Sequence, residues 1–186
     1  MRIVIATLLL LAALPVSAHP GHGPDTIGFV AGFEHPFTGL DHLLAMLAVG
    51  LWSATASRRI WLAPLSFVSV LLIGAWLAMN GLVLPAVEPM IAASVLVLGL
   101  LVMARVRLPD SLSAVLVGSF ALFHGAAHGV EFGTTAALTG MVIATALLHG
   151  VGIMAGLLIK TKNSWWLRGI GAGTALIGAS LALNAI

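Results

Sequence analysis

Nearly all of this chain is divided into apolar runs that are long enough to cross a lipid bilayer. Hydrophobic residues make up 60% of its 186 residues and charged residues only 8%. A membrane-spanning helix needs ~20 mainly apolar residues in succession, because lipid offers the backbone no hydrogen-bond partners. The sequence therefore predicts an all-α fold, a polytopic membrane bundle of six transmembrane helices with no separate soluble domain. The predicted helices cover residues 39–56, 60–79, 85–104, 111–129, 135–159 and 165–186.

The first 18 residues have the pattern of a signal peptide rather than of a membrane-spanning helix. Arg2 supplies a positive start, residues 3–14 form an apolar stretch, and Val16 and Ala18 are the small residues that precede a cleavage site. The apolar stretch is shorter than the ~20 residues of a span. We expect cleavage after Ala18, which leaves residues 19–186 as one membrane domain. The alternative is an uncleaved first helix.

Composition and motifs exclude several classes of protein. The chain has no cysteine, which rules out disulfides, thiolate zinc sites and thiol catalysis. Its eight Lys and Arg residues are scattered, so they form no basic patch for nucleic acid. The sequence contains no G-x-S-x-G, Walker or H-E-x-x-H motif. We therefore expect neither an enzyme nor an ATP-driven pump, and no nucleic-acid partner. The lipid bilayer is the partner that the composition implies.

The basic residues orient the predicted bundle. Seven of them lie in or beside alternate connections between spans, whereas the connections near Asn80 and Glu131 have none. Lys and Arg concentrate on the cytoplasmic side of membrane proteins. We therefore expect the mature N- and C-termini both to face the periplasm or exterior, in agreement with an even number of spans. The seven residues are Arg58, Arg59, Arg105, Arg107, Lys160, Lys162 and Arg168.

Short connections and glycines indicate how the spans pack. Because the connections are short, consecutive helices are expected to be neighbours. Gly152 and Gly156, and likewise Gly169 and Gly173, are spaced four residues apart, which allows helices to approach closely. Close contact around an ion path and ordinary bundle packing both explain these glycines.

The first group of polar residues opens the first predicted span. His35, Asp41 and His42 lie in the stretch HPFTGLDH, where proline and glycine disturb the start of the helix. His35 is therefore expected on a segment that folds against the bundle. An aspartate beside a histidine either binds a metal directly or accepts the imidazole N–H and sets its tautomer. The alternative for Asp41 is a helix N-terminal carboxylate stabilised by the helix dipole.

The second group closes the fourth predicted span. His124 and His128 are four residues apart and Glu131 follows three residues later, so one helical face carries all three if the helix extends that far. Two histidines at this spacing can hold one divalent ion, and histidine with carboxylate is a ligand set for borderline divalent cations. The alternative is a pair of histidines hydrogen-bonded to neighbouring helices.

His149 is the deepest of these residues, about 20 Å from the outer end of the fifth span at helical rise. Its sequence neighbours are apolar, so it either pairs with another helix at the site or serves only in packing. Together the groups predict a series of weak cation sites rather than one closed cage. From the outside inward the order is Glu131 and His35, then Asp41, His42 and His128, then His124, then His149.

His19 and His22 either capture metal outside or belong to a terminus that happens to contain histidine.

Three stretches are similar to the HupE/UreJ family of small bacterial membrane proteins. They are HPFTGLDHLLAMLAVGLW at 35–52, FHGAAHGVE at 123–131 and LLHGVG at 147–152. The similar layout of signal peptide and six spans extends the resemblance over nearly the whole mature chain. The resemblance implies a secondary permease for nickel, sometimes cobalt, associated with maturation of nickel hydrogenase or urease. It also implies that His35, Asp41, His42, His124, His128, Glu131 and His149 matter.

The first stretch also resembles the His-x4-Asp-His element of nickel/cobalt transporters. Here five residues separate His35 from Asp41 instead of four. That difference leaves open whether the two groups share a coordination geometry.

We therefore hypothesise a permease that imports Ni2+, with Co2+ as the alternative cargo and no permanently bound cofactor. Asp41 with His42, and His128 with His124, are expected to form the selective site. Glu131 would attract the ion and His149 would pass it inward. The link to hydrogenase or urease maturation proteins is indirect, and the sequence leaves a homo-oligomer open.

Three other functions remain open. An intramembrane hydrolase would use zinc, held by histidines and an aspartate, to activate water. An accessory protein would bind metal outside the cytoplasm and hand it to a partner without transport. A haem protein would hold its iron between two facing histidines. Metal retained near one per chain after dialysis would indicate the hydrolase. Metal binding without uptake would indicate the accessory protein, and a coloured pigment would indicate the haem protein.

Overall fold

The computed structural model describes residues 28–161 and 163–185, which form seven helices and contain no strand. The predicted all-α class is confirmed for these residues. The predicted signal peptide, His19, His22 and Lys162 lie outside the described residues. The helices are α1 (Phe29–Thr38), α2 (Leu40–Ala56), α3 (Leu62–Met79), α4 (Val87–Ala104), α5 (Asp110–Phe132), α6 (Thr135–Ile159) and α7 (Trp165–Asn184).

The helices make the chain a multi-pass membrane protein. Each helix from α3 to α7 is long and apolar enough to cross a bilayer by itself. The pair α1 and α2 meets this test only together, and its two helices meet at an angle of 81°. Five spans are therefore continuous, and there are six when the bent pair is counted as one span. We call the end where α2, α4 and α6 begin the histidine end, and the opposite end the basic end.

Local sequence explains where α5 and α6 meet. Gly133 ends α5 with φ 58°, a left-handed conformation that glycine adopts without a steric cost. Thr134 then caps α6, because its hydroxyl oxygen accepts the Ala137 N–H at 3.3 Å. As a result α5 runs three residues past its predicted end at 129, and Glu131 lies on the same helix as His124 and His128.

The expectation that consecutive helices are the main neighbours is wrong. The most extensive contacts pair α3 with α5, α4 with α7, and α2 with α6. Short connections limit how far apart two helices lie, but they do not create a close contact. Glycines create it here: a Cβ on Gly125 of α5 would collide with the Leu71 backbone of α3, and one on Gly99 of α4 would collide with Ala175 of α7.

The predicted glycine pairs differ in what they do. A Cβ on Gly152 would collide with the Leu47 carbonyl of α2, and one on Gly156 would lie 2.7 Å from the Ala54 Cβ, so this pair does bring α6 against α2. A Cβ on Gly169 would have no atom within 4 Å. The contact of α7 with α4 uses Gly171 instead, which faces the Met103 backbone.

The interior of the bundle is partly polar, from the histidine end inward to His149. His42, His124, His128 and His149 are at most 2% exposed. Large apolar side chains such as Trp76 point outward, as a lipid-facing surface requires. Every described Lys and Arg residue lies at the basic end, which agrees with the charge pattern of the sequence.

Candidate metal centre

Three imidazoles from three helices meet at the histidine end. His35 comes from α1, His42 from α2 and His128 from α5, and their ligand atoms lie within 4.8 Å of one another. Three ligand nitrogens that share an ion at ~2.1 Å in tetrahedral or trigonal geometry lie only ~3.4–3.6 Å apart. The three nitrogens would therefore have to approach one another by up to roughly 1.4 Å to bind one ion. We call these residues the outer cluster.

The break between α1 and α2 brings His35 to this cluster. Pro36 lies inside α1 and removes one backbone donor from it. The helix ends after Thr38, where the His35 carbonyl accepts bonds from Thr38 Oγ1 at 2.9 Å and Gly39 N at 3.2 Å. A Cβ on Gly39 would lie 2.9 Å from Asp41 Oδ1 and 3.3 Å from His42 Nδ1, so a larger residue at the break would press on both side chains. The segment predicted to fold against the bundle does so as α1, which packs on α6.

Asp41 sets the chemical state of His42. Its Oδ1 accepts the His42 backbone N–H at 2.8 Å and lies 2.7 Å from His42 Nδ1. Since a carboxylate only accepts, we place the imidazole proton on Nδ1, which leaves the Nε2 lone pair for a metal. Within the described residues, His42 Nε2 is buried and has no hydrogen-bond partner. Asp41 therefore acts as the residue that positions the ligand.

His124 presents the same chemistry beside His42. Its Nδ1 donates to the Phe120 carbonyl at 3.0 Å, one turn earlier on α5. Its Nε2 is buried with no hydrogen-bond partner in the described part of the chain, and its ring lies 5.1 Å from the ring of His42. His124 thus extends the outer cluster inward by one more imidazole.

Glu131 lies between the outer cluster and an open cavity. Its carboxylate oxygens are 3.6 Å from His35 Nδ1 and 3.5 Å from His128 Nδ1. The same side chain is 21% exposed and, with Glu88, lines a cavity of about 540 Å³ near the start of α4. A carboxylate in this place can attract a cation and pass it to the imidazoles.

His149 and His124 contact the same aromatic ring. Phe67 of α3 lies edge-on to both, with its centroid 5.3 Å from the ring of His124 and 5.2 Å from that of His149. Both ring nitrogens of His149 and the hydroxyl of Thr145, one turn earlier on α6, are buried without hydrogen-bond partners among the described residues. His149 therefore forms a second, deeper polar position.

The sequence does not reveal three residues of the site, which are Phe67, Thr145 and Phe132. Phe132 lies edge-on to His35, with centroids 5.1 Å apart, and stacks on His128 at 5.9 Å. In the sequence these residues are apolar or small members of apolar spans, and nothing in their spacing sets them apart. The predicted pairing also differs in detail: the structure places His35 with His42 and His128, and Asp41 against His42 alone.

Comparison with known proteins gives one consistent result. Residues 7–181 match the family described as HupE / UreJ protein. Protein HupE of Rhizobium leguminosarum bv. viciae is 43% identical to this chain over an alignment of 186 positions, which covers 97% of each protein. No solved structure matches the chain.

Proposed function

This chain belongs to the HupE/UreJ family, and from that premise we propose that it imports a divalent transition-metal ion across the bacterial inner membrane. The family is associated with nickel and cobalt uptake for hydrogenase and urease, and its members are permeases or accessory proteins rather than known enzymes. The ion that we propose is Ni2+, with Co2+ as the alternative. The ion is the cargo, and it serves the maturation of a metalloenzyme indirectly.

The observation that carries the proposal is the outer cluster of His35, His42 and His128. Imidazole nitrogens suit nickel and cobalt, whereas magnesium and calcium prefer oxygen ligands. The cluster is somewhat wider than a tight site would be, and a conducting protein needs sites that hold an ion weakly enough to release it. Both features support transport over permanent binding.

The proposed path runs inward from the outer cluster. Glu131 attracts the ion from the adjoining cavity, and the outer cluster binds it. His124 receives it next, and the ion must then pass the ring of Phe67 to reach His149. A membrane potential favours inward movement of a divalent ion by roughly 4.6 kcal/mol per 100 mV, twice the ~2.3 for a single charge. This is enough to concentrate a trace metal without ATP.

The proposed orientation places the basic end in the cytoplasm. This orientation is supported by the basic residues, because all described Lys and Arg residues lie at that end. Cytoplasmic segments of membrane proteins carry an excess of Lys and Arg. Trp165 and Trp166 are exposed beside it and suit the membrane–water interface. The histidine end and the mature termini then face the periplasm.

The test is uptake of radioactive nickel into proteoliposomes of the purified protein, with cobalt and zinc as competitors. We expect saturable uptake that His128→Ala removes, because this change takes away one of the three imidazoles of the outer cluster. Asp110→Asn, which changes a carboxylate at the opposite end, is the control and should take up nickel normally. Unchanged uptake by a folded His128→Ala variant would exclude the proposed site. Metal retained at one per chain without uptake would instead favour an accessory or hydrolytic function.

A further inference from the structure

The basic end contains a cavity that the candidate metal centre does not use. Its volume is about 830 Å³, and it lies between the end of α2, the connection from α4 to α5, and the end of α6. Its walls contain four cationic side chains and one carboxylate, that of Asp110. The four are Arg58, Arg105, Arg107 and Lys160.

The positive charge of this cavity is not neutralised from within. Asp110 accepts a hydrogen bond from Ser57 Oγ at 2.8 Å and pairs with Arg59 at 3.9 Å, a residue that does not line the cavity. Among the described residues, none of the four lining cations has a carboxylate within 4.0 Å. The side chains therefore converge on one space with an excess of positive charge.

The backbone around Arg105 holds two of the cationic residues at the cavity. Arg105 caps α4 with φ 55°, in the left-handed region that favours glycine, so an arginine here costs backbone free energy that glycine would not. The next residue is fixed to α2, because the buried indole of Trp52 donates to the Val106 carbonyl at 2.9 Å. This bond holds Arg105 and Arg107 at the cavity wall.

We propose that this cavity binds an anion that carries two or more phosphate or carboxylate groups. Guanidinium groups bind such oxygens in pairs, and several of them around one space select a multivalent anion over a monovalent one. The volume is that of an ordinary small-molecule site. Membrane proteins also hold acidic lipid headgroups in basic pockets at the cytoplasmic side. A lipid headgroup and a free polyanion share the chemistry that this cavity recognises.

The cavity does not contain every basic residue of this end. Arg168 lies at the same end but outside the cavity, where its guanidinium stacks over Trp165 at 5.6 Å from the ring centroid. It therefore provides a matched control: the same charge at the same end, without a place in the proposed site.

The experiment measures binding by the purified full chain in neutral detergent, without metal and at constant ionic strength. The probes are pyrophosphate and cardiolipin, which each carry two phosphates, with phosphatidylcholine as the neutral blank. Binding is followed by the rise in unfolding temperature from tryptophan fluorescence. We expect Arg105→Gln with Arg107→Gln to weaken binding at least about tenfold. Arg168→Gln should bind as the parent does.

A second variant separates binding from folding. Arg105→Gly removes the guanidinium and relieves the left-handed strain, so it should keep or raise the unfolding temperature without ligand and still weaken binding. Binding of pyrophosphate alone supports a soluble anion, and binding of cardiolipin alone supports a lipid headgroup. The proposal is overturned if neither probe binds, or if Arg168→Gln weakens binding as much as the double variant does. None of these outcomes depends on metal transport.

Discussion

At Asp41, one carboxylate oxygen accepts both the backbone N–H and the imidazole N–H of His42. The Asp41→Asn variant keeps the size of the side chain and an oxygen that accepts these bonds, so the fold should persist. The neutral amide, however, holds the imidazole and its tautomer less firmly. We expect the affinity of the outer cluster for Ni2+ to fall about 10–100-fold, measured by calorimetric titration of the purified protein.

Asp110→Asn is the matched control for this measurement. Asp110 also lies in the first turn of a helix, but it bonds to Ser57 at the basic end. Its replacement should leave nickel affinity unchanged. Equal affinity of the parent and the Asp41→Asn variant would show that Asp41 serves only the helix start, which was the alternative reading of the sequence.

Individual residues of the site differ in how far the sequence reveals them. Histidines and carboxylates in an apolar span are conspicuous, because an ionisable group in lipid is expensive. The sequence therefore predicted seven polar candidates, six of which lie in or beside one cluster. It could not predict Phe67, because a phenylalanine that contacts two histidines and one that faces lipid have the same sequence signature. Only the crossing of α3 over α5 and α6 places that ring against both His124 and His149.

The pairing of α3 with α5 depends on glycines beside the site histidines. A Cβ on Gly125 would collide with the Leu71 carbonyl and lie 2.9 Å from Ala75 N, and both are backbone atoms that cannot turn aside. We expect Gly125→Ala to destabilise the protein by about 1–3 kcal/mol. It should also weaken nickel binding, because His124 and His128 move with α5. Thermal unfolding in detergent and metal titration measure the two effects.

Gly150 supplies the control at the level of a helix. It also follows a site histidine within a helix, but a Cβ added there would have no atom within 4 Å. Gly150→Ala should be neutral or stabilise the protein by up to about 1 kcal/mol, because alanine favours the helix. If Gly125→Ala were as stable as Gly150→Ala, the close approach of α3 and α5 would not be what holds the histidines in place.

Helix bounds were predictable where the sequence contains an unambiguous stop. The prediction of 135–159 coincides with α6, which begins after a glycine and a capping threonine and ends before a lysine. The predicted end at 129 was too early, because Gly129 packs inside α5 against Ala75 rather than ending the helix. A glycine in a membrane bundle can end a helix or allow a second helix to pack closely against it. Which of the two it does depends on whether another helix lies beside it.

At the scale of the whole molecule, the sequence predicted a bundle of spans with every described Lys and Arg at one end, but it did not predict which helices pair. The alternation of basic and uncharged connections is a local property that can be read along the chain. The pairs of α2 with α6 and α4 with α7 join residues far apart in sequence, through glycines that resemble all the others. The histidine cluster could therefore be expected, but its three-helix composition could not.

The orientation of the bundle can be measured directly, because the chain contains no cysteine. Val83 is 85% exposed in the connection between α3 and α4 at the histidine end, and Thr161 is exposed at the basic end. A single cysteine at either position is then the only thiol. In spheroplasts, a membrane-impermeant maleimide should label the Val83→Cys variant. The Thr161→Cys variant should be labelled only after lysis.

The orientation that these two variants report also decides whether the proposed direction of transport is possible. The proposed import requires the histidine end to face the periplasm, since the carboxylate of Glu131 and its cavity lie there. Labelling of the Thr161→Cys variant in intact spheroplasts, with protection of the Val83→Cys variant, would reverse the bundle. The membrane potential would then draw a cation from the basic end toward the cytoplasmic histidines, and the order of sites proposed for import would be wrong.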